Sequence, residues 1–359
     1  MSLRYQAAHK YVPVEIEETD LYGGIFKILK EIRPNWSPDK IKFKLFTDGL
    51  TNKLVACEYM DNIGDDNILL VRIYGNKTDL LIDRTAEVRN ITILQKLNLA
   101  PKIYGVFANG LVYQYYPGVT LTVDSVINSK IAALIAIRMA QMHKVELPQE
   151  VKKEPMVWDK IEQFLRLIPE TFSNSTKQTR FASSFGSKTR LWIEFERLKS
   201  HLMRTESPLV FAHNDLLLGN VIYNDCNGTV SFIDYEYAAY NYQAYDIANH
   251  FNEFVGLSID DIDYARYPSE EFQKSWIRTY LTEYLTVTDG DGQGDMITHE
   301  IDKVYEQVQH LSLASHFLWG IWSIVQYELS DIDFDFCRYA EIRLGRYFEL
   351  KNSVFRELV

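Results

Sequence analysis

The sequence predicts an α+β fold of two lobes, an antiparallel β-sheet N-terminal lobe with one helix followed by a mostly helical C-terminal lobe. Three observations predict it. Short runs rich in β-branched and aromatic residues crowd the first third of the 359 residues, apolar residues at helical spacing dominate the remainder, and Pro117-Gly118 falls between them as a natural boundary. The lobes are accordingly placed at residues 1–115 and 116–359.

The elements follow in order. After a helical entry around Gly24–Ile32, the segments Ile41–Thr47, Lys53–Tyr59 and Asn67–Tyr74 read as a meander with turns at Asp48-Gly49 and Asn62-Ile63-Gly64-Asp65. From Asp79 to Leu97 the residues Leu80, Leu81, Val88, Ile91, Leu94 and Leu97 recur near helical spacing, and Pro101 marks the end. Strands Lys102–Phe107 and Leu111–Tyr115 turn at Asn109-Gly110. Helices are then expected at Ile131–His143, Trp158–Ile168, Lys188–Thr205, Glu271–Leu285 and Ile301–Glu328. Between the third and fourth of these lie three short apolar runs, Val210–Ala212, Val221–Tyr223 and Val230–Ile233, the last two joined by a hairpin turn at Asn224-Asp225-Cys226-Asn227-Gly228.

Composition narrows the classes of function. A hydrophobic content of 47% with 13% aromatics excludes a largely disordered chain. The net charge of −11 argues against a general nucleic-acid binder, whose affinity comes from neutralising phosphates, and suits a cationic substrate. Cys57, Cys226 and Cys337 are widely spaced without a C-x-x-C pair, so reduced thiols in a cytoplasmic protein are expected rather than a disulfide framework or zinc site. No apolar signal core follows the N-terminus, and the uncharged stretch Leu311–Tyr327 is too short and too polar for a comfortable span. It reads as a buried core helix, with no stable membrane insertion.

The short strands carry the chemistry. Asp215 and Asn220 in His213-Asn214-Asp215-Leu216-Leu217-Leu218-Gly219-Asn220 stand at the spacing of the Asp and Asn in kinase catalytic loops, and Asp234 follows the next apolar hairpin. Phosphoryl transfer needs a carboxylate beside the attacking hydroxyl and oxygen ligands for Mg²⁺ on the phosphates. Asp215 suits the first role, Asn220 and Asp234 the second. Any one of them alone would be an ordinary turn residue; three at these spacings, each flanked by an apolar run, are not. With a sheet lobe ahead of that loop, the order of elements is protein-kinase-like.

Residues of the first lobe then acquire roles. Phe46-Thr47-Asp48-Gly49-Leu50-Thr51-Asn52-Lys53 lies between the first two meander strands, where backbone N–H groups could cap phosphates, although it fails the Walker pattern and fits a plain hairpin equally well. Arg72 is a charge embedded in the apolar strand Leu69–Tyr74. It requires a partner unless it snorkels from an edge strand, and Glu87 on the following helix is the candidate.

The His213-Asn214-Asp215 loop, the run Ile233-Asp234-Tyr235-Glu236 through His250-Phe251, and Ala314-Ser315-His316-Phe317-Leu318-Trp319-Gly320-Ile321-Trp322-Ser323 together resemble the choline/ethanolamine kinases. The resemblance runs from about Lys44 to the C-terminus and is weakest between Val145 and Pro208. Phe46–Lys53, Arg72–Thr78 and Asn249–Gly256 look like the ethanolamine branch. Choline kinases usually carry Cys-Glu-Trp and a pocket Tyr five residues after the Glu; here the Glu is Glu253 and the fifth residue is Ser258.

The resemblance implies an ATP- and Mg²⁺-dependent ethanolamine kinase making phosphoethanolamine and ADP, the first step of the CDP-ethanolamine route to phosphatidylethanolamine. It implies Asp215 as catalytic residue, Asn220, Asp234 and Glu236 at the metal, and Gly49, Asn52, Arg72 and Glu87 toward the nucleotide, with Gln114 and Tyr116 at its hinge. Glu253, Trp319, Trp322 and Tyr339 match positions lining the amino-alcohol pocket. Trp319 and Trp322, three residues apart on a helix, share a face that could attract an ammonium, though core packing is the commoner fate of such a pair. His213 and His250 read as structural. The alternatives are a choline or dual-specificity kinase, an aminoglycoside phosphotransferase-like enzyme, and a catalytically silent nucleotide-binding scaffold. A homodimer is compatible with the resemblance, without a patch in the sequence to mark it. Asp289–Glu300 fits part of a calcium-loop template but has Gln293 at the fifth position and no paired loop, so a solvated interhelical loop is expected.

Overall fold

The structure, a computed structural model, describes residues 8–46, 52–61, 67–75, 78–285 and 293–357. The chain divides into two compact units, Met1–Gly118 with Ser231–Tyr237, and Val119–Val230 with Ala238–Val359. The sequence placed one boundary near residue 115; the division adds the short excursion 231–237, which carries Asp234 and Glu236, to the N-terminal residues.

In the first unit, β1 (Tyr11–Val12) and α1 (Leu21–Ile32) precede the meander β2 (Ile41–Phe46), β3 (Asn52–Tyr59) and β4 (Ile68–Tyr74). Helix α2 (Arg84–Gln95) and the hairpin β5 (Ile103–Phe107) and β6 (Gly110–Gln114) follow. The six strands form one sheet in the order β1-β5-β6-β4-β3-β2, antiparallel except for β1 on β5. Strand alternation sorts β4 into two faces. Leu69, Val71 and Ile73 join Val55, Cys57 and Val112 in a core closed by Ile25, Ile28 and Leu29 of α1. The opposite face carries Leu70 with Ala56, Leu111 and Tyr113. Arg72 shares that second face by register. Because β4 is flanked on both sides, Arg72 is an interior residue, with Leu54 and Leu111 as its strand neighbours.

Helix α2 starts later than the spacing from Asp79 suggested. Asp83 accepts hydrogen bonds from the amides of Thr85 and Ala86, so its side chain sets the first turn, while Thr78–Leu80 form a separate 3₁₀ turn.

The second unit is helical around a few short strands. In order come β7 (Val119–Thr120), α3 (Val123–Val126), α4 (Ser129–His143), α5 (Met156–Leu167), α6 (Ser175–Phe185), α7 (Lys188–Leu202), β8 (Leu209–Ala212), β9 (Val221–Asn224) and β10 (Thr229–Phe232), which crosses the division. Then follow β11 (Ala239–Tyr242), α8 (Gln243–Asn252), α9 (Glu270–Tyr284), α10 (Gln293–Leu329) and α11 (Phe336–Glu357). The 37-residue α10 is the axis of this unit and packs on α5, α8, α9 and α11. The stretch Leu311–Tyr327 lies within it and is mostly buried, and among the described residues no helix is long and apolar enough to cross a membrane. Helix α8 escaped the sequence reading because all ten of its residues are buried, which erases the one-sided periodicity that marks a surface helix. Of the calcium-loop match, residues 289–292 lie outside the described residues and the rest begins α10.

One close approach locks the strand that carries Arg72. A Cβ on Gly110 would stand 2.1 Å from the Arg72 carbonyl oxygen and 2.4 Å from the Phe107 ring, so only glycine lets β6 start against β4 there. Gly110→Ala is therefore expected to lower stability by about 1–3 kcal/mol, seen as a lower urea midpoint.

Candidate active site

The first group of candidate residues surrounds Arg72, whose side chain is only 6% exposed. Its guanidinium pairs with Glu87 of α2, and Nη1 donates to Asp234 Oδ1 at 2.7 Å. The strand-to-helix pair expected from the sequence is therefore present. A second cation, Arg84, was not singled out by the sequence because it sits at an ordinary surface-like helix start. Its Nη1 donates to Glu87 Oε2 (3.1 Å) and Glu236 Oε2 (3.0 Å), its Nη2 to Asn52 Oδ1 (3.2 Å) and Thr78 Oγ1 (2.9 Å). The Arg84 guanidinium also lies 4.0 Å from the centre of the Tyr74 ring. Asn52 completes the set, donating to Glu236 Oε2 at 3.2 Å.

The excursion 231–237 is held by these charges and by Tyr235, whose buried hydroxyl lies 2.5 Å from the Leu99 carbonyl oxygen. Asp234 has φ +63°, a left-handed conformation unusual for a non-glycine residue and common at functional sites. Burial works against the Arg72 charge, yet Asp234, followed by the hydroxyls of Tyr113 and Tyr74, holds its pKa above the ordinary value. Burial and then the charge of Asp234 push Glu236 upward against Arg84 and Arg72.

Carboxylate oxygens of Glu87, Asp234 and Glu236 lie within 4.8 Å of one another. Three carboxylates against two guanidiniums leave one negative charge in excess, concentrated on hard oxygen donors. That donor set fits a small divalent cation such as Mg²⁺. Of the metal residues expected from the sequence, Asp234 and Glu236 stand together here, whereas Asn220 belongs to the second unit.

The second group is the loop after β8. Asn214 has φ +67°, and the turn it makes is anchored from beneath by Asp246 of α8. Asp246, fully buried, accepts the His213 amide at 2.9 Å and the Asn214 amide at 2.6 Å. His143 Nε2 stands 2.9 Å from the same carboxylate, while Nδ1 meets the Tyr280 hydroxyl at 2.7 Å. Burial opposes the Asp246 charge, but the His143 bond and the His213 amide hold its pKa below the ordinary value. Asn241 donates to Asn214 Oδ1 (2.8 Å), His250 Nδ1 to the Leu216 carbonyl (2.9 Å), and Asn220 Nδ2 to the Asp215 carbonyl (2.8 Å). Asp215 itself is half-buried at the end of this scaffold. Asp246 gave no sequence signal, because the helix that carries it was not expected.

The third group lies in the same unit. Glu253, at the end of α8, accepts from Arg343 Nη1 at 2.7 Å. Trp319 Nε1 donates to Asn249 Oδ1 at 2.8 Å, and the Trp319 and Trp322 rings meet edge to face at 5.7 Å. Burial, and after it the charges of Glu253 and Asp215, push the Tyr339 hydroxyl upward against Arg343; Tyr245 is likewise raised by burial and by Asp246, Asp215 and Glu253. Asp215 and Glu253 therefore share one electrostatic neighbourhood. Gln114 ends β6, exchanging bonds with Lys102, and Tyr116 is half-buried just beyond it. Gly49 lies outside the described residues.

A sheet with an embedded Arg–Glu pair, an Asp-containing loop after a short strand, and a carboxylate cluster after the next hairpin define a protein-kinase-like phosphotransferase. The chain belongs to the choline/ethanolamine kinase family, whose pattern matches residues 43–348. Ethanolamine kinase 1 of Mus musculus is 43% identical over 94% of this chain and 92% of its own. Among solved structures, an ethanolamine kinase of Plasmodium vivax superposes with a TM-score of 0.80 at 28% identity, covering 96% of this chain and 91% of that one. A choline kinase of Cryptosporidium parvum superposes at 0.75 and 26% identity, covering 93% and 96%.

Two outcomes test this geometry. Arg72→Met removes the cation shared by buried Glu87 and by Asp234, leaving Glu87 to Arg84 alone, and is expected to lower stability by about 3–5 kcal/mol, measured by thermal unfolding. Burial lowers His250 from its ordinary 6.5 to about 4, although its bond to Leu216 works the other way. The unfolded state therefore takes up a proton between those values that the folded state refuses, so stability falls as pH drops through that window. His250→Gln should reduce the loss between pH 7.5 and pH 5 by about 2 kcal/mol in urea titrations.

Proposed function

We propose that this chain is an ethanolamine kinase that uses ATP and Mg²⁺, transferring the γ-phosphate to the ethanolamine hydroxyl to give phosphoethanolamine and ADP. The observation that carries this reading is similarity to ethanolamine kinases over nearly the whole chain, joined to a carboxylate, Glu253, in the electrostatic neighbourhood of Asp215. A primary ammonium has three N–H donors to satisfy, so a carboxylate suits it better than an aromatic box alone.

Asp215 accepts a hydrogen bond from the substrate hydroxyl, orients it for in-line attack and takes its proton as the new P–O bond forms. Asp246 keeps the loop rigid by occupying the two amides ahead of Asp215, so the carboxylate is presented without reorganisation. Arg72, held by Glu87 and Asp234, directs positive charge toward the donor phosphates, and Asn52 and Arg84 orient Glu236 beside it. Asp234 and Glu236 would hold Mg²⁺, with Asn220 as a further oxygen ligand; the ion supplies neutralisation of phosphate charge. Backbone groups around Gln114 and Tyr116 receive adenine, and the small apolar face of Ala56, Leu70 and Leu111 lies beside the Arg72 side chain to cover its ring. Glu253, Trp319, Trp322 and Tyr339 receive the ammonium end.

A coupled assay of ADP release is expected to give a higher kcat/KM with ethanolamine than with choline. Asp215→Asn should keep the fold, checked by circular dichroism, and reduce kcat by about a hundred- to ten-thousand-fold. Nucleotide binding without ADP release from the wild type on any amino alcohol would mark a scaffold instead.

A further inference from the structure

The Glu253 carboxylate does not stand alone. Arg343 of α11, with a side chain only 3% exposed, gives Nη1 to Glu253 Oε1 at 2.7 Å and lies 3.3 Å from the Tyr339 hydroxyl through the same nitrogen. Its Nη2 donates to Ser315 Oγ of α10 at 3.1 Å. Ser315 in turn donates to Asn249 Oδ1 of α8 at 2.8 Å, the same oxygen that receives Trp319 Nε1. One guanidinium thereby ties together three helices and, through them, Glu253, Tyr339 and Trp319. The approach that lets it do so is built into the backbone: a Cβ on Gly320 would stand 2.6 Å from Leu344 Cγ, so α10 and α11 approach closely beside Trp319 and Arg343.

We propose that Arg343 is the positioning residue of the ammonium subsite, holding Glu253, Tyr339 and Trp319 in register for the acceptor. This rests on the ethanolamine kinase reading above. Without the guanidinium, Glu253 is left partly buried with no fixed direction, and it either turns toward water or captures a solvent cation; each competes with substrate. The loss falls on acceptor binding, because the residues reading the nucleotide belong to the other unit.

Steady-state kinetics of Arg343→Met and Arg343→Lys, alone and combined with Glu253→Gln, test it. Arg343→Met is expected to raise the KM for ethanolamine by about tenfold or more while kcat and the KM for ATP change less than about threefold. Arg343→Lys should recover part of that loss, and in the Glu253→Gln background Arg343→Met should add little. An ethanolamine KM unchanged or lowered in Arg343→Met overturns the proposal. So does an equal loss in the Glu253→Gln background, or a parallel fall in kcat and both affinities with a lowered melting temperature that Arg343→Lys shares, which is the signature of a purely structural role. The two readings fail separately: a wild type that releases no ADP with ethanolamine refutes the activity, whereas an active wild type with an indifferent Arg343 refutes only this inference.

Discussion

A guanidinium buried in the middle of a β-sheet is the constraint around which the first unit is arranged. Arg72 is placed by strand register on one face of β4, between Leu54 and Leu111, where water cannot solvate it. Its charge survives only because Glu87 and Asp234 reach it from a helix and from a segment more than a hundred and fifty residues away in the chain. Satisfying that one charge draws the excursion 231–237 onto the sheet and gathers the carboxylates of Glu87, Asp234 and Glu236 within 4.8 Å of one another. Gly110 permits the pairing that keeps β4 central.

The second unit solves an equivalent problem with a carboxylate. Asp246, with no exposure, takes two consecutive loop amides and a histidine, so that the turn bearing Asp215 is held from beneath rather than by its own sequence. The left-handed conformation of Asn214 is tolerated because those bonds, and the one from Asn241, over-determine it. In both units, then, a buried charge with several partners fixes a short, irregular segment that carries candidate site residues.

Candidate site residues were legible along the chain: Asp215, Asn220 and Asp234 stood out because each is flanked by an apolar run at a spacing that phosphoryl transfer needs, and Arg72 stood out as a charge amid Leu69–Tyr74. Arg84 and Arg343 did not, since an arginine on an amphipathic helix looks the same whether it faces solvent or a buried carboxylate. Helix α8 was hidden for the opposite reason: it is buried all round, so its pattern has no polar face. The sequence placed a boundary near residue 115 at Pro117-Gly118, whereas the attachment of 231–237 to the N-terminal unit was not visible, because it follows from an ion pair between distant segments.

By itself the sequence determined the α+β class, the order of a sheet lobe ahead of a helical one and the resemblance that pointed to a small amino alcohol. These depend on local periodicity and on residue types at short intervals, both of which a linear chain displays. Only the tertiary structure decided which charges meet: that Glu236 is shared by Arg84 and Asn52, that Asp246 underlies the catalytic loop, and that Glu253 is paired with Arg343. Such pairings depend on burial and three-dimensional proximity, which govern what a charge must find as a partner once water is gone.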